Sequence, residues 1–215
     1  MPKLERNMID KISSWKFAED YPLEPEHIRV ARRHADELGV ESITPATGSQ
    51  LALLAAVGKA KNMVEVGTGA GVSGLWLLSA SADSILTTID SEPEYQNVAK
   101  ENFKQASIPA SRLRTITGKA AAVMGNMAES AYDLVFIDID AEDVEGLLPT
   151  AVSLLKPGGA LVIAHALFRD RVPNPTLRDD ETVAVRNVLK AFDGSEDFLS
   201  TISLAGDGLL FVVKR

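Results

Sequence analysis

"NMVEVGTGAGVSGLWLL", residues 62–78, decides how this chain is read. An apolar run ends at Glu65, glycine recurs at Gly67, Gly69 and Gly71, and an apolar helical pattern continues through Leu75, Trp76, Leu77 and Leu78. A strand running into a glycine turn and then a helix presents backbone N–H groups and a helix N-terminus at the carboxyl edge of a sheet, where open α/β sheets bind ligands. The position suits a nucleotide-like cofactor. Gly69, Gly71 and Gly74 satisfy G-x-G-x-x-G, but that pattern starts four residues after Glu65 instead of at the strand end. A lone match of this kind is weak.

Outward from the turn, short apolar runs at 62–66, 85–90, 112–117, 133–138 and 159–164 alternate with helical stretches, the pattern of a parallel sheet covered by helices. "SEPEYQNVAKENFKQAS" (91–107) opens with Ser91 and Glu94 in capping-box spacing and repeats apolar residues at Tyr95, Val98, Ala99 and Phe103, which predicts an amphipathic helix. Upstream, helices are expected near 25–38 and 47–58, the second burying Leu51, Leu54 and Ala55. One domain over 1–215 is expected, with 1–60 a helical cover and 61–215 the core. "DRVPNPTLRDDE" (170–181) is the only long polar, proline-bearing loop. At the end, "FLSTISLAGDGLLFVVKR" places Gly206-Asp207-Gly208 between two apolar runs, a hairpin signal, so the last two strands are expected to be antiparallel.

Composition narrows the partners. The 215 residues are 46% hydrophobic, enough for a full core, and the net charge of −8 with scattered Lys and Arg argues against nucleic acid. A small molecule is the expected partner. No apolar run reaches the roughly 18 residues of a membrane span, and the charged N-terminus lacks a signal-peptide core, so a cytoplasmic protein with no membrane partner is expected. With no cysteine, thiolate metal sites and cysteine nucleophiles are excluded.

Asp90 closes the second strand in "LTTID", where its carboxylate is placed to accept from both ribose hydroxyls of an adenosyl or NAD cofactor. Glu65-x-Gly67-x-Gly69-x-Gly71 resembles motif I of S-adenosyl-L-methionine (SAM)-dependent methyltransferases. "YDLVFIDID" (132–140) and "LLKPGGALVI" (154–163) resemble that fold's fourth strand and the turn before its fifth. From "ITPATGSQ" through "TTIDSEPE" and "FIDID" to "GDGLLFVVKR", residues 40–215 resemble the small O-methyltransferases related to catechol and caffeoyl-CoA methyltransferases. The resemblance implies an α/β, Rossmann-like fold with a seven-stranded, mostly parallel sheet, a C-terminal antiparallel hairpin and helices on both faces. It also implies SAM as cofactor. Ile43, Glu65, Gly67, Thr68, Gly69 and Ser73 would lie at the methionine moiety, Asp90 at the ribose, Lys119 and Ala120 by the adenine, and Asp138 and Asp140 near the cofactor.

Members of that family hold a divalent metal with an Asp after the fourth strand and an Asp-Asn pair after the fifth, and carry a lysine soon after the first ligand. Here Asp138 stands at the first position, but Ala164-His165 fall on the pair and Ala141 on the lysine. A hard cation wants several oxygen ligands, which makes a metal doubtful and predicts none. Asp138 and His165 are then the candidate catalytic residues, His165 as a general base titrating near neutral pH. Arg169 and Arg171, in the loop after it, are candidates to pair with an acidic group of the acceptor. Two other readings remain open: a SAM-binding module without catalysis, and an NAD-dependent oxidoreductase. The resemblance also suggests a homodimer, with Trp15, Phe17 and Tyr21 on a contact arm.

Overall fold

The computed structural model describes residues 2–215, with side chains from Lys11 onward. Three helices, α1 (Pro2–Asp20), α2 (Glu26–Leu38) and α3 (Pro45–Val57), lead into β1 (Asn62–Val66). There follow α4 (Val72–Ser79), β2 (Ile85–Asp90), α5 (Pro93–Gln105), β3 (Leu113–Thr117) and the short α6 (Ala120–Met124). The chain closes with β4 (Tyr132–Ile137), α7 (Ala141–Leu154), β5 (Leu155–Ile163), α8 (Asp180–Lys190), β6 (Phe198–Ser203) and β7 (Leu209–Lys214). The seven strands form one sheet in the order β3-β2-β1-β4-β5-β7-β6. The first five are parallel, and β7 runs antiparallel to both β5 and β6. From β1 the order runs outward in both directions, which opens a crevice at the carboxyl ends of β1 and β4.

Strand periodicity divides the core into two layers. Met63, Leu134, Phe136 and Val162 face a layer that also takes Ile28 of α2, Leu51 of α3, Leu75 of α4 and Phe103 of α5. Their neighbours Val64, Val135, Ile137 and Leu161 face the opposite layer, closed by Met124, Leu147 and Val188 of α6, α7 and α8. Alternation along the strand thus sends successive side chains to helices on opposite faces. Trp76 of α4 is buried against Gly48 of α3, where an added Cβ would lie 2.2 Å from the indole ring. That contact sets how closely α3 approaches α4.

Several expectations need correction. Helix α5 starts at Pro93 with Glu92 as N-cap and no side-chain cap, so Ser91 and Glu94 form no capping box. Asp90 Oδ1 instead accepts from the Glu92 amide at 2.9 Å. Strand β5 begins at Leu155, before the expected turn, because Tyr132 pairs with Leu155 and Leu134 with Ala160 across an irregularity that absorbs "KPGG". Leu54 is only partly buried. Residues 180 and 181, assigned to the loop, open α8, whose N-cap Asp179 accepts from the Thr182 amide. The N-terminal segment is a helix and touches its own domain: Trp15 Nε1 donates to the Leu204 carbonyl at 3.1 Å, and Gly206 N donates to Glu19 at 2.7 Å.

Candidate active site

The glycine turn is built by close approach of two strand ends. Gly67, at φ +94°, donates its N–H to the Ile89 carbonyl, and a Cβ on it would lie 2.0 Å from the Asp138 carbonyl oxygen. Only glycine fits both the backbone angle and the space. The Asp90 carboxylate then ties the turn down. Its Oδ2 accepts from Thr68 N and Gly69 N, both at 3.0 Å, and its Oδ1 from Glu92 N. A carboxylate offers about four acceptor positions, so room is left for one ribose hydroxyl and not for both.

Beneath the turn runs a buried hydrogen-bond chain with a fixed direction. Gln96 Nε2 donates to Thr68 Oγ1 (2.9 Å), Thr68 and Thr88 hydroxyls meet at 2.6 Å, and Thr88 donates to Glu65 Oε2 at 2.6 Å. Each hydroxyl has one proton, so Thr88, which gives its own to Glu65, must receive from Thr68. Glu65 Oε1 has no hydrogen-bond partner among the described residues. Burial pushes the Glu65 carboxyl up to about 7, against the pull of the Thr88 and Ser73 hydroxyls. Gln96 went unnoticed in the sequence, where it reads as one more polar residue of an amphipathic helix.

A cavity of about 830 Å³ opens over the turn. Its wall takes Gly67, Thr68, Gly69 and Ser73 from the turn and helix, and Ile43 from the segment before α3. Asp90 ends β2, Lys119 and Ala120 follow β3, and Asp138 and Asp140 follow β4. Glu65 differs from its expected place: it is fully buried and lies behind the wall. The wall is strongly acidic. Asp90, Glu92, Asp138, Asp140 and Glu142, with Glu41 and Asp143, face a single amine, that of Lys119.

A second cavity of about 250 Å³ shares Glu41, Asp138, Ile139 and Asp140 with the first, and is otherwise lined by α7, α8, the end of β5 with the loop after it, and Asp207 and Leu210 of the terminal hairpin. His165, at φ +57°, lines the second cavity beside Asp138, which lines both. Its Nε2 is 3.2 Å from Asp138 Oδ1 and its Nδ1 3.2 Å from Asp207 Oδ2. Facing carboxylates on both sides, the ring needs both protons, since a neutral imidazole would turn a lone pair toward one of them. The Asp138 hydrogen bond leads in raising its pKa to about 9, with Asp207 adding to it and burial opposing it. His165 therefore does not accept a proton near neutral pH, which corrects its expected role as a base. Asp207 itself is held by Arg169 N, which donates to Oδ1 at 2.6 Å. It is the residue the sequence did not disclose; as the middle of Gly-Asp-Gly it reads as turn chemistry alone.

The two loop arginines already have partners. Arg171 pairs with Asp179 and donates from Nε to the Thr182 hydroxyl, while Arg169 Nη2 is 3.7 Å from Glu41. Among the described residues, no group of three His, Cys, Asp or Glu side chains is arranged to hold a metal ion.

Known proteins share the sequence pattern and the fold. A protein of Mycobacterium ulcerans is 44% identical over 188 residues, which is 87% of this chain and 84% of that one. A Corynebacterium glutamicum crystal structure superposes with a TM-score of 0.88 at 30% identity, covering 95% of this chain and 97% of that one. The O-methyltransferase TomG of Streptomyces achromogenes, involved in tomaymycin synthesis and solved in complex with SAM, shares the fold with a TM-score of 0.81 at 23% identity, over 93% of this chain and 94% of that one. The O-methyltransferase family model matches residues 18–215, from the end of α1 through β7, and the chain belongs to that family.

Proposed function

We infer that this chain transfers a methyl group from SAM to an oxygen of a small acceptor, and does so without a divalent metal. The observation that carries the cofactor is the charge of the larger cavity. Seven carboxylates and one amine on its wall suit a ligand with a sulfonium and an ammonium against one carboxylate, and oppose the pyrophosphate of NAD. The glycine cradle at Gly67 and the remaining acceptor position on Asp90 Oδ1 fit the methionine and ribose parts. When bound, SAM supplies an electrophilic methyl group, the electron pair of the broken bond returning to sulfur.

Asp138 stands at the border of the two cavities, where it receives the hydroxyl proton as the acceptor oxygen bonds to the methyl carbon. His165 fixes the Asp138 carboxylate, and Asp207 fixes His165. Holding donor and acceptor in line across this border supplies most of the rate, because the methyl group is already activated. The family's metal does not fit these residues: Ala164 has no donor atom, and both ring nitrogens of His165 face carboxylates. Magnesium wants several oxygen ligands and catalytic zinc three protein ligands, which this set does not offer.

Calorimetric titration with SAM and with NAD, followed by transfer of a radiolabelled methyl group to a phenol library by metal-stripped protein, tests this reading. SAM binding with metal-independent transfer supports it. Binding without any transfer supports the silent module, and NAD binding alone the oxidoreductase.

The place of action is inferred to be the cytoplasm; among the described residues no helix is long and apolar enough to cross a membrane. A homodimer is inferred from exposed apolar side chains on helices that pack together, Ile12 and Phe17 on α1 (64% and 71% exposed) with Leu53 and Val57 on α3 (64% and 74%). Side chains of this size on two packed helices are what an interface covers.

A further inference from the structure

We propose that the acceptor is a small apolar phenol with a single isolated hydroxyl and no negative charge; this rests on the methyltransferase reading above. The second cavity holds about 250 Å³, the small end for ligand sites and room for one ring with short substituents. Away from its border, Val144, Ile163, Val185, Val188, Leu189 and Leu210 supply an apolar wall. At the border, Glu41, Asp138 and Asp140 line both cavities, and of these Asp138 is the one that His165 holds in place. Both nitrogens of His165 are committed to Asp138 and Asp207, and Ala164 presents a methyl group. One oxygen of Asp138 is left free by that pairing, and it can receive one hydroxyl. Among the described residues no three His, Asp or Glu side chains are placed to hold a metal that would grip a second hydroxyl beside the first.

Charge sets the next limit. Glu41, Asp138, Asp140, Glu181 and Asp207 contribute to this cavity, while its two cationic side chains are already paired, Arg169 with Glu41 and His165 with two carboxylates. An acceptor carrying a carboxylate or phosphate would meet uncompensated negative charge, whereas a neutral or cationic one would not. The acidity of the hydroxyl sets the last limit. A carboxylate is a weak base, so it can help to ionise a phenol, with a pKa of about 10, far better than an aliphatic alcohol.

The experiment uses the full chain and four probes on one scaffold: para-ethylphenol, its vicinal diol ethylcatechol, hydroxyphenylpropanoate and tyramine. SAM binding is measured first, so that failure of the methyltransferase reading is seen separately. Acceptor binding is then read by calorimetry on the protein saturated with S-adenosylhomocysteine, which needs no turnover, and kcat/KM by methyl transfer in EDTA. Ethylphenol and tyramine should exceed hydroxyphenylpropanoate by at least about tenfold in both readouts. The second hydroxyl of ethylcatechol should change them by less than about threefold, unlike a device that must hold both oxygens. The double variant Ala164→Asp with His165→Asn should shift preference toward the diol and make it respond to magnesium. A tenfold preference of the unaltered protein for the diol or the carboxylate, or no binding of any probe by a protein that binds SAM, overturns the proposal.

Discussion

The Thr88 hydroxyl donates to Glu65 Oε2 at 2.6 Å, while the other oxygen of the same buried carboxylate has no partner among the described residues. Half-satisfied and out of water, the carboxyl keeps its proton up to about pH 7 in the folded chain, against an ordinary value of 4.5. The folded state therefore binds more protons than the unfolded between these values, and its stability falls as pH rises through that window. Cofactor-free protein should lose on the order of 2–3 kcal/mol at this site from pH 4.5 to above 7. Glu65→Gln should flatten that slope in denaturant unfolding; an unchanged slope would take Glu65 out of the account.

Asp90→Ala should loosen the glycine turn and weaken SAM binding together. Three backbone amides lose their acceptor, at Thr68, Gly69 and Glu92, and with them goes the acceptor position proposed for a ribose hydroxyl. The expected loss in binding is on the order of 1–3 kcal/mol, the range for a charge-assisted hydrogen bond at a partly buried site. A folded variant with unaltered calorimetric affinity would show that Asp90 serves the turn only.

Methyl transfer should be level between about pH 6 and 8 and decline as the His165 ring loses its proton near 9, when one of its two carboxylate bonds turns repulsive. His165→Asn should lower kcat by roughly 10- to 100-fold through misplacement of Asp138, with KM for SAM little changed. Wild-type activity that instead falls from pH 8 to 6 would restore His165 as a neutral base, and stimulation by magnesium would restore the metal.

Gly67→Ala should be among the most damaging single changes. Its φ of +94° is unfavourable to any L side chain, and the new methyl group would sit 2.0 Å from the Asp138 backbone carbonyl. Roughly 2–4 kcal/mol of stability should be lost, together with SAM binding, as strain and overpacking act at one point. Near-wild-type melting would contradict the close approach of β1 and β4.

At micromolar concentration, light scattering should report twice the chain mass of 23.1 kDa. Phe17→Glu, on the exposed face of α1, should shift the population to monomer without altering SAM affinity. A monomer from the unaltered chain would retire the homodimer.

Most of the fold was legible because it depends on local chemistry: the glycine turn, the alternating strands, the Gly-Asp-Gly hairpin. What escaped was long-range or ambiguous. "KPGG" reads as a turn, yet β4 and β5 continue pairing around it. Ser91 and Glu94 have capping-box spacing, but Asp90 takes the Glu92 amide first. Of the site, the donor half follows from short motifs at the ends of successive strands, while the acceptor half is assembled from the ends of β4 and β5 and a hairpin 42 residues after His165. No spacing rule links His165 to Asp207.

Gln96, Thr68, Thr88 and Glu65 pass hydrogen bonds in one direction only, from amide to carboxylate. Replacing the Thr88 hydroxyl by a methyl group strands the Thr68 donor on one side and the Glu65 acceptor on the other, deep in the molecule, whereas the Gln96 amide keeps the Thr88 and Ile116 carbonyls as acceptors if the Thr68 hydroxyl is lost. Drift at Glu65, Thr68 or Thr88 is therefore expected to be tolerated only when its neighbours in the relay change with it, so that across descendants of this chain positions 65, 68 and 88 should vary in concert or not at all.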